Sequence, residues 1–266
     1  MSEQRYFFNN RPDEDEFKRL RSQEIFLDPI TFRRLETLGV AEGWNCLEIG
    51  AGTGSVVEWL AKRVGQKGKV VATDINIRFL RQLTVPNIEV RQHDIVKDEL
   101  ETNKYDLVHC RCVLQHVSEP ETGLRRMANA VRPGGLLLIE EPDRGSLRGD
   151  LSSPSAAFFT TTLRAFYDAV SKGGRGDSYF GCRLGSLVGK LGFNDTTYEG
   201  YVPINRGCDS TSASAAITFE VIAKSLISRG AFTQEECDKI LQLYKDPSFY
   251  YVGTTLFSAW GRKPVK

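Results

Sequence analysis

No apolar run in these 266 residues approaches the roughly 20 needed to cross a bilayer, so no spanning helix is expected. No CxxC pair occurs either, which argues against structural zinc, and no metal site is expected. Neither sign of charge dominates. Lys and Arg number 35 against 34 Asp and Glu, so bulk electrostatics gives no pull toward nucleic acid or an anionic membrane. The opening stretch MSEQRYFFNNRPDEDEFKRL is polar and acidic. It carries no basic segment followed by an apolar one, does not read as a secretory signal, and leaves a cytoplasmic location as the expectation. Six cysteines (Cys46, Cys110, Cys112, Cys182, Cys208 and Cys237) are too sparse for a disulfide framework in a chain this long and read as free thiols. Internal repeats and low-complexity tracts are lacking as well.

What is present is an ordinary globular composition, 41% hydrophobic and 26% charged, long enough for one sizeable α/β domain with an elaborated cap. Residues 1–44 read as helical in pieces, with DEDEFKRLRSQEIF as one helix and an Asp-Pro entry to another at DPITFRRLETLGV. From residue 45 the hydrophobic period alternates. NCLEIG, KVVATD, IEVRQHD, YDLVHCR and LLLIEEP read as five short strands. SVVEWLAKRVG, INIRFLRQL and EPETGLRRMANAVRPGG read as helices between them, the last stopped at Pro133-Gly134-Gly135. Such alternation predicts an α/β fold with a mostly parallel sheet covered by helices on both faces. After residue 145 the rhythm breaks into helices and Gly-rich pieces, with strands resuming at TTYEGYVPI and VGTTLFSAWGRKP. The expected organisation is a single domain over 1–266. It comprises an N-terminal helical cap (1–40), a ligand-binding core (41–145), lid and acceptor insertions with a late core strand (146–250), and a final strand (251–266).

Behind the first strand stands Glu48-x-Gly50-x-Gly52-x-Gly54. Spacing alone leaves three readings open: a tight turn, a phosphate cradle, or a site for a different cofactor. The surrounding acids narrow the choice. Glu48 places a carboxylate where a pyrophosphate would otherwise sit, which suits a cationic ligand better. Asp74 ends the second strand and can accept from two ribose hydroxyls, and Asp94 ends the third within reach of an adenine amino group. In a parallel sheet, ligands bind beyond the carboxyl ends of the strands, where all three acids fall.

In sequence, LEIGAGTG, VVATDI, HDI, YDLVHCRCVLQHV and VRPGGLLLIEEP resemble the successive motifs of class I S-adenosylmethionine-dependent methyltransferases. The resemblance covers roughly residues 40–145, and FSAWGRKP suits the family's final antiparallel strand. The flanks most resemble small-molecule members of the ubiquinone/menaquinone and secondary-metabolite type. The resemblance implies a Rossmann-like sheet of seven strands with N-terminal helices and a helical lid, S-adenosyl-L-methionine as cofactor, and a small-molecule acceptor. It implies that Gly50, Gly52 and Gly54 admit the methionine part and the sugar. Glu48 would hold the methionine end, Asp74 the ribose, Ile75 the adenine face, and Asp94 with Ile95 the adenine edge. Arg111 would line the methionine end through its carbonyl, and His116 would face the acceptor. An early residue such as Arg21 or Phe26 is expected to close over the cofactor.

Methyl transfer from a sulfonium needs orientation and exclusion of water, and a base only where the acceptor must lose a proton. His116 and Glu141 are the catalytic candidates, with Glu140 and Asp143 beside them. Phe158, Phe159, Phe166, Tyr167, Tyr179, Phe180 and Tyr201 suggest an aromatic or apolar acceptor pocket or, equally, the core of a lid. A nicotinamide dehydrogenase is disfavoured because Ser55 stands where its glycine pattern continues. A nucleic-acid substrate is disfavoured because no basic run carries interleaved aromatics. A protein substrate and a non-catalytic cofactor-binding module stay open, and the irregular helices could support a homodimer.

Overall fold

The structure, a computed structural model, describes residues 12–174 and 176–265. The part of the expected N-terminal cap over 1–11 lies outside the described residues. In chain order the elements are α1 (Asp13–Thr37), β1 (Asn45–Ile49), α2 (Ser55–Val64), β2 (Lys69–Asp74), β3 (Ile88–Gln92), β4 (Tyr105–Arg111), α3 (Pro120–Ala130) and β5 (Val131–Asp143). There follow β6 (Arg148–Gly149), α4 (Ala156–Lys172), α5 (Leu184–Gly189), β7 (Asn194–Tyr201), β8 (Ile204–Arg206), α6 (Ser210–Ile227), α7 (Gln234–Lys245), β9 (Tyr250–Val252) and β10 (Thr255–Arg262). Among the described residues no helix is long and apolar enough to cross a membrane.

Two compact units form. The larger takes Leu27–Glu141, Phe180–Gly200 and the chain from Phe257 onward. It contains the seven-stranded sheet, ordered β3-β2-β1-β4-β5-β10-β7. β1 pairs in parallel with β2 and β4, β2 with β3, and β4 with β5. β10 runs the other way along β5: Lys263 exchanges backbone hydrogen bonds with Gly134 and Gly135, whereas Ser258 meets Glu140. The sheet is thus the mostly parallel Rossmann-like sheet that the alternation predicted. Its central strands β1, β2, β4 and β5 are apolar on both sides because both faces are covered there. Leu47, Val71, Val108, Leu137 and Ile139 enter one core, with α3 and α5, while Cys46, Val70, Leu107, Leu136 and Leu138 enter the other, with α2. α2 shows why a helix forms there: Val56, Val57, Leu60, Ala61 and Val64 recur at three- and four-residue spacing, all buried. Each of the Val and Leu side chains contributes about 1.5–3 kcal/mol on burial. Gly65 ends the helix at φ 65°, a conformation that favours glycine.

The smaller unit takes the described chain up to Phe26 together with Pro142–Tyr179 and Tyr201–Leu256. α4, α6 and α7 pack an aromatic core in which Phe166 lies 4.6 Å from Phe219 and Phe159 lies 5.0 Å from both Phe249 and Tyr251, centroid to centroid. A three-stranded antiparallel sheet, β6-β9-β8, belongs to it. Of the seven aromatics read as pocket or core, Phe159, Phe166 and Tyr167 are core here, and Phe180 is core in the larger unit. Only Tyr201 of the seven is exposed.

Three local expectations are corrected. INIRFLRQL forms no α-helix, only a single 3-10 turn at Leu80–Gln82. Asp74 Oδ1 accepts from the Asn76 amide and Asn76 Oδ1 from the Arg78 amide, and such side-chain turns compete with the helical ladder. The two N-terminal pieces are one helix with Pro29 inside it. A mid-helix proline costs about 3 kcal/mol; buried Leu35 and the hydrogen bonds of Asp28 and Thr31 to Arg111 offset it. Finally, α3 stops at Ala130, not at Pro133. Val131 already pairs with Tyr105, and the Pro-Gly-Gly run falls where the β4–β5 register shifts, with Gly134 at φ 75°.

Candidate functional site

The carboxyl ends of β1, β2, β3 and β4 bring most of the expected site residues to one edge of the sheet. The turn from β1 to α2 is held by Thr73, whose carbonyl accepts from the Gly50 and Ala51 amides at 2.8 and 2.9 Å. All three motif glycines lie at positive φ: 70°, 58° and 96° for Gly50, Gly52 and Gly54. Their surroundings differ. A Cβ on Gly50 would stand 2.2 Å from Val113 Cγ2, and one on Gly54 2.9 Å from Leu83 Cδ1, whereas one on Gly52 would meet nothing within 4 Å. Gly50 and Gly54 are therefore bare because the protein itself packs there. Gly52 is bare toward open space, so a side chain at that position would occupy room a ligand could use.

Asp74 faces that space. Its Oδ2 accepts from the Gly52 amide at 3.0 Å and its Oδ1 from Asn76 at 2.9 Å, so the carboxylate is oriented before any ligand arrives. Burial pushes its pKa up against the pull of these amides. Ile75, next along, leaves 41% of its surface exposed, an apolar flat at the cradle's rim. Asp94 turns part of its carboxylate inward. Oδ1 accepts from the Val96 amide at 3.0 Å, and Oδ2 lies 3.3 Å from Lys97. The Ile95 side chain is buried in the core against Gly123, which leaves its main chain to meet a ligand.

Glu48 differs most from its expected surroundings. It is buried, and its Oε2 lies 2.6 Å from His109 Nδ1. His109, opposite Glu48 in the β1–β4 register, presents its other nitrogen to Glu140 Oε2 at 3.4 Å. Glu140 is completed by Thr31 at 2.5 Å on the same oxygen and Ser258 at 2.7 Å on the other. Burial alone would lower the His109 pKa, but the Glu48 charge and both carboxylate hydrogen bonds outweigh it and raise it to about 9. Burial would likewise raise Glu140; the His109 hydrogen bond and charge instead hold it down to about 2. An imidazolium between two carboxylates is the consistent state, because only that form donates from both ring nitrogens.

The Arg111 side chain extends this network, giving hydrogen bonds of 2.8 Å to both Asp28 and Thr31. Asp28 Oδ1 also accepts from Ser55, the first residue of α2. Sequence reasoning assigned Arg111 only a carbonyl and missed His109, Asp28 and Thr31. The available signal was the imidazole itself. An ionisable group between Leu107 and Arg111 on one face of an apolar strand must be paired.

The two catalytic candidates occupy different settings. His116 is half-buried at the end of the 3-10 turn Leu114–His116. Glu141 is fully buried, with Oε1 accepting from the Val113 and Leu114 amides at 2.8 and 2.6 Å. These contacts tie Glu141 to the segment that carries His116.

Comparison with known proteins agrees with this geometry. Residues 47–137 match the family described as a methyltransferase domain. Over 145 residues the chain is 30% identical to the ubiquinone/menaquinone biosynthesis C-methyltransferase UbiE of Idiomarina loihiensis, covering 52% of this chain and 53% of that protein. The chain spans only 35–60% of the length of the curated relatives it matches. Among solved structures, phosphoethanolamine N-methyltransferase 2 of Haemonchus contortus superposes with a TM-score of 0.63 at 18% identity, over 100% of this chain and 61% of that one. The cyclase SpnF superposes at 0.53 and 15% identity, over 90% and 81%. Residues 47–137 thus resemble a methyltransferase domain, and the seven-stranded sheet that carries them is the fold shared with these solved structures. In these two comparisons the similarity is to methyltransferases and covers about half of the chain or less.

Proposed function

We propose that this chain transfers a methyl group from S-adenosyl-L-methionine to a small-molecule acceptor. The observation that carries the reading is the Gly52–Asp74 cradle: an open glycine face beside a carboxylate pre-oriented by the glycine's own amide. That donor set fits a nucleoside whose ribose hydroxyls donate to Asp74 while its sugar passes over Gly52. When bound, the cofactor supplies a sulfonium-activated methyl group for in-line displacement. Asp74 holds the ribose, Ile75 covers the adenine, Asp94 and the Ile95 main chain meet its edge, and Glu48 with the Arg111 carbonyl borders the methionine end. The three glycines let the backbone approach. Orienting donor and acceptor and excluding water then supply most of the rate enhancement. His116 is the residue for taking a proton from the acceptor. Glu141 acts by pinning the segment 113–115 from which His116 projects. The similarity to ubiquinone/menaquinone biosynthesis C-methyltransferases supports a small-molecule acceptor, and the setting we propose is cytoplasmic.

The test is to incubate the protein with methyl-labelled S-adenosylmethionine and a cell extract divided into small-molecule, protein and RNA fractions. Label in the small-molecule fraction supports the reading and yields the methylated atom. Label confined to protein or RNA sinks the choice of acceptor. A second reading, cofactor binding without methyl transfer, is favoured by the fold shared with a cyclase, since one fold hosts many reactions. Cofactor binding with no label in any fraction would support it.

A further inference from the structure

His109 and Glu140 carry no role assigned so far, and with Glu48 they form a buried row that starts two residues before Gly50. Each side chain in it is at most 3% exposed. Each comes from a different element, Glu48 from β1, His109 from β4 and Glu140 from β5, with Thr31 of α1 and Ser258 of β10 closing the far end. Three ionisable groups inside an otherwise apolar sheet are costly unless every one is paired. Apolar residues at 48, 109 and 140 would fill the same layer without that cost, since Cys46, Leu107 and Leu138 do so one step earlier on the same strands.

We propose that His109 is a positioning residue for the cofactor, acting through Glu48: as the imidazolium it fixes the Glu48 carboxylate at the base of the glycine cradle. This rests on the reading that the cradle takes S-adenosylmethionine. A neutral imidazole carries one N–H, so on losing its proton His109 can donate to Glu48 or to Glu140 but not to both. The remaining carboxylate then faces a lone pair, and the Glu48 rotamer, with the β1 end behind it, loses its reference. The charged groups around His109 are Glu48 and Glu140, with Arg111 and Asp28 beyond them. The neighbouring Cys46 and Cys110 thiols are pushed up by burial and stay protonated.

Binding of S-adenosylhomocysteine is measured by calorimetry from pH 6 to 10, with circular dichroism confirming the folded state at each pH. In parallel, nitrogen NMR of the labelled imidazoles follows the cofactor-free protein, in which only His93, His109 and His116 can report. Expected is constant affinity at neutral pH, then a fall above a midpoint near 9. The fall approaches about tenfold per pH unit, the slope for one proton linked to binding. Both His109 nitrogens should be protonated at neutral pH. Glu140→Gln removes one of the two carboxylates, so the midpoint should move to lower pH, a shift that a purely structural histidine would not produce. His109→Gln should bind more weakly at neutral pH and lose the alkaline fall. Binding by wild type that ignores pH, or an unmoved midpoint in Glu140→Gln, overturns the role of His109 and leaves the cofactor reading intact. No binding at any pH overturns both.

Discussion

Replacing Gly52 by alanine should separate the cost of a strained backbone from the cost of a blocked ligand. At φ 58° an alanine pays the left-handed penalty, about 1–2 kcal/mol. Part of this is offset by the smaller entropy of the unfolded alanine chain, about 0.4–1 kcal/mol. No clash is added, because the new Cβ meets nothing within 4 Å. The net loss of stability is therefore about 1 kcal/mol, which for a chain of this size is a fall of roughly 2–4 °C in Tm. Cofactor affinity should drop much further, by tenfold or more, or about 1.4 kcal/mol and upward, since the methyl group occupies the open side of the cradle. Gly50→Ala is the contrast. Its Cβ would stand 2.2 Å from Val113 Cγ2, so stability and affinity should fall together. Thermal unfolding of the cofactor-free proteins and calorimetric titration with S-adenosylhomocysteine read the two effects separately. A Gly52→Ala protein that binds as tightly as wild type would refute the placement of the ligand over Gly52.

Further outcomes follow from the same geometry. Asp74→Asn keeps the shape but loses the anionic acceptor, and cofactor affinity should fall by about 1.5–3 kcal/mol, the range for hydrogen bonds to a charged group. Stability of the cofactor-free protein should fall at both ends of the pH range. The contribution of Glu140 is complete above the ordinary carboxylate pKa of 4.5 and is lost as pH falls toward about 2; that of His109 is complete below 6.5 and is lost as pH rises through about 9. Thermal unfolding across pH checks this, and Glu140→Gln should remove the acid limb. Arg19→Leu removes the guanidinium that lies 2.6 Å from the buried Glu16 carboxylate and should cost about 3–5 kcal/mol by denaturant titration. Thr233→Ala removes one half of the capping box at the start of α7, for about 1 kcal/mol. If His116 is the base, His116→Ala should lower kcat by about 10²–10⁴ with cofactor affinity unchanged.

The parallel core was legible because it is written in a two-state alternation. LEIG, VVATD and DLVHC are short runs apolar on both faces, separated by a helix whose buried positions recur at i, i+3 and i+4. The strand-end acids were legible for the same reason: once the strands are located, Asp74 and Asp94 must stand at their carboxyl ends. What escaped was anything decided by partners distant in the chain. INIRFLRQL has helical periodicity, but Asp74 and Asn76 capture the amides a helix would need. Pro29 reads locally as a helix start, yet the fixed Asp28 and Thr31 carry the helix through it. Glu48 reads as a ligand-facing acid because its partner, His109, lies 61 residues away. Glu141 reads as a catalytic candidate because the amides it caps belong to Val113 and Leu114, distant in the chain.

On the function proposed, the Gly52–Asp74 cradle takes S-adenosylmethionine rather than a dinucleotide. Calorimetric titration of the purified protein with S-adenosylmethionine, with S-adenosylhomocysteine and with a nicotinamide dinucleotide tests it most directly. Saturable binding of the first two, weakened tenfold or more in Gly52→Ala, with no heat from the third, is the expected result. Binding of the dinucleotide alone, or of S-adenosylmethionine at a site indifferent to Gly52 and Asp74, would contradict it.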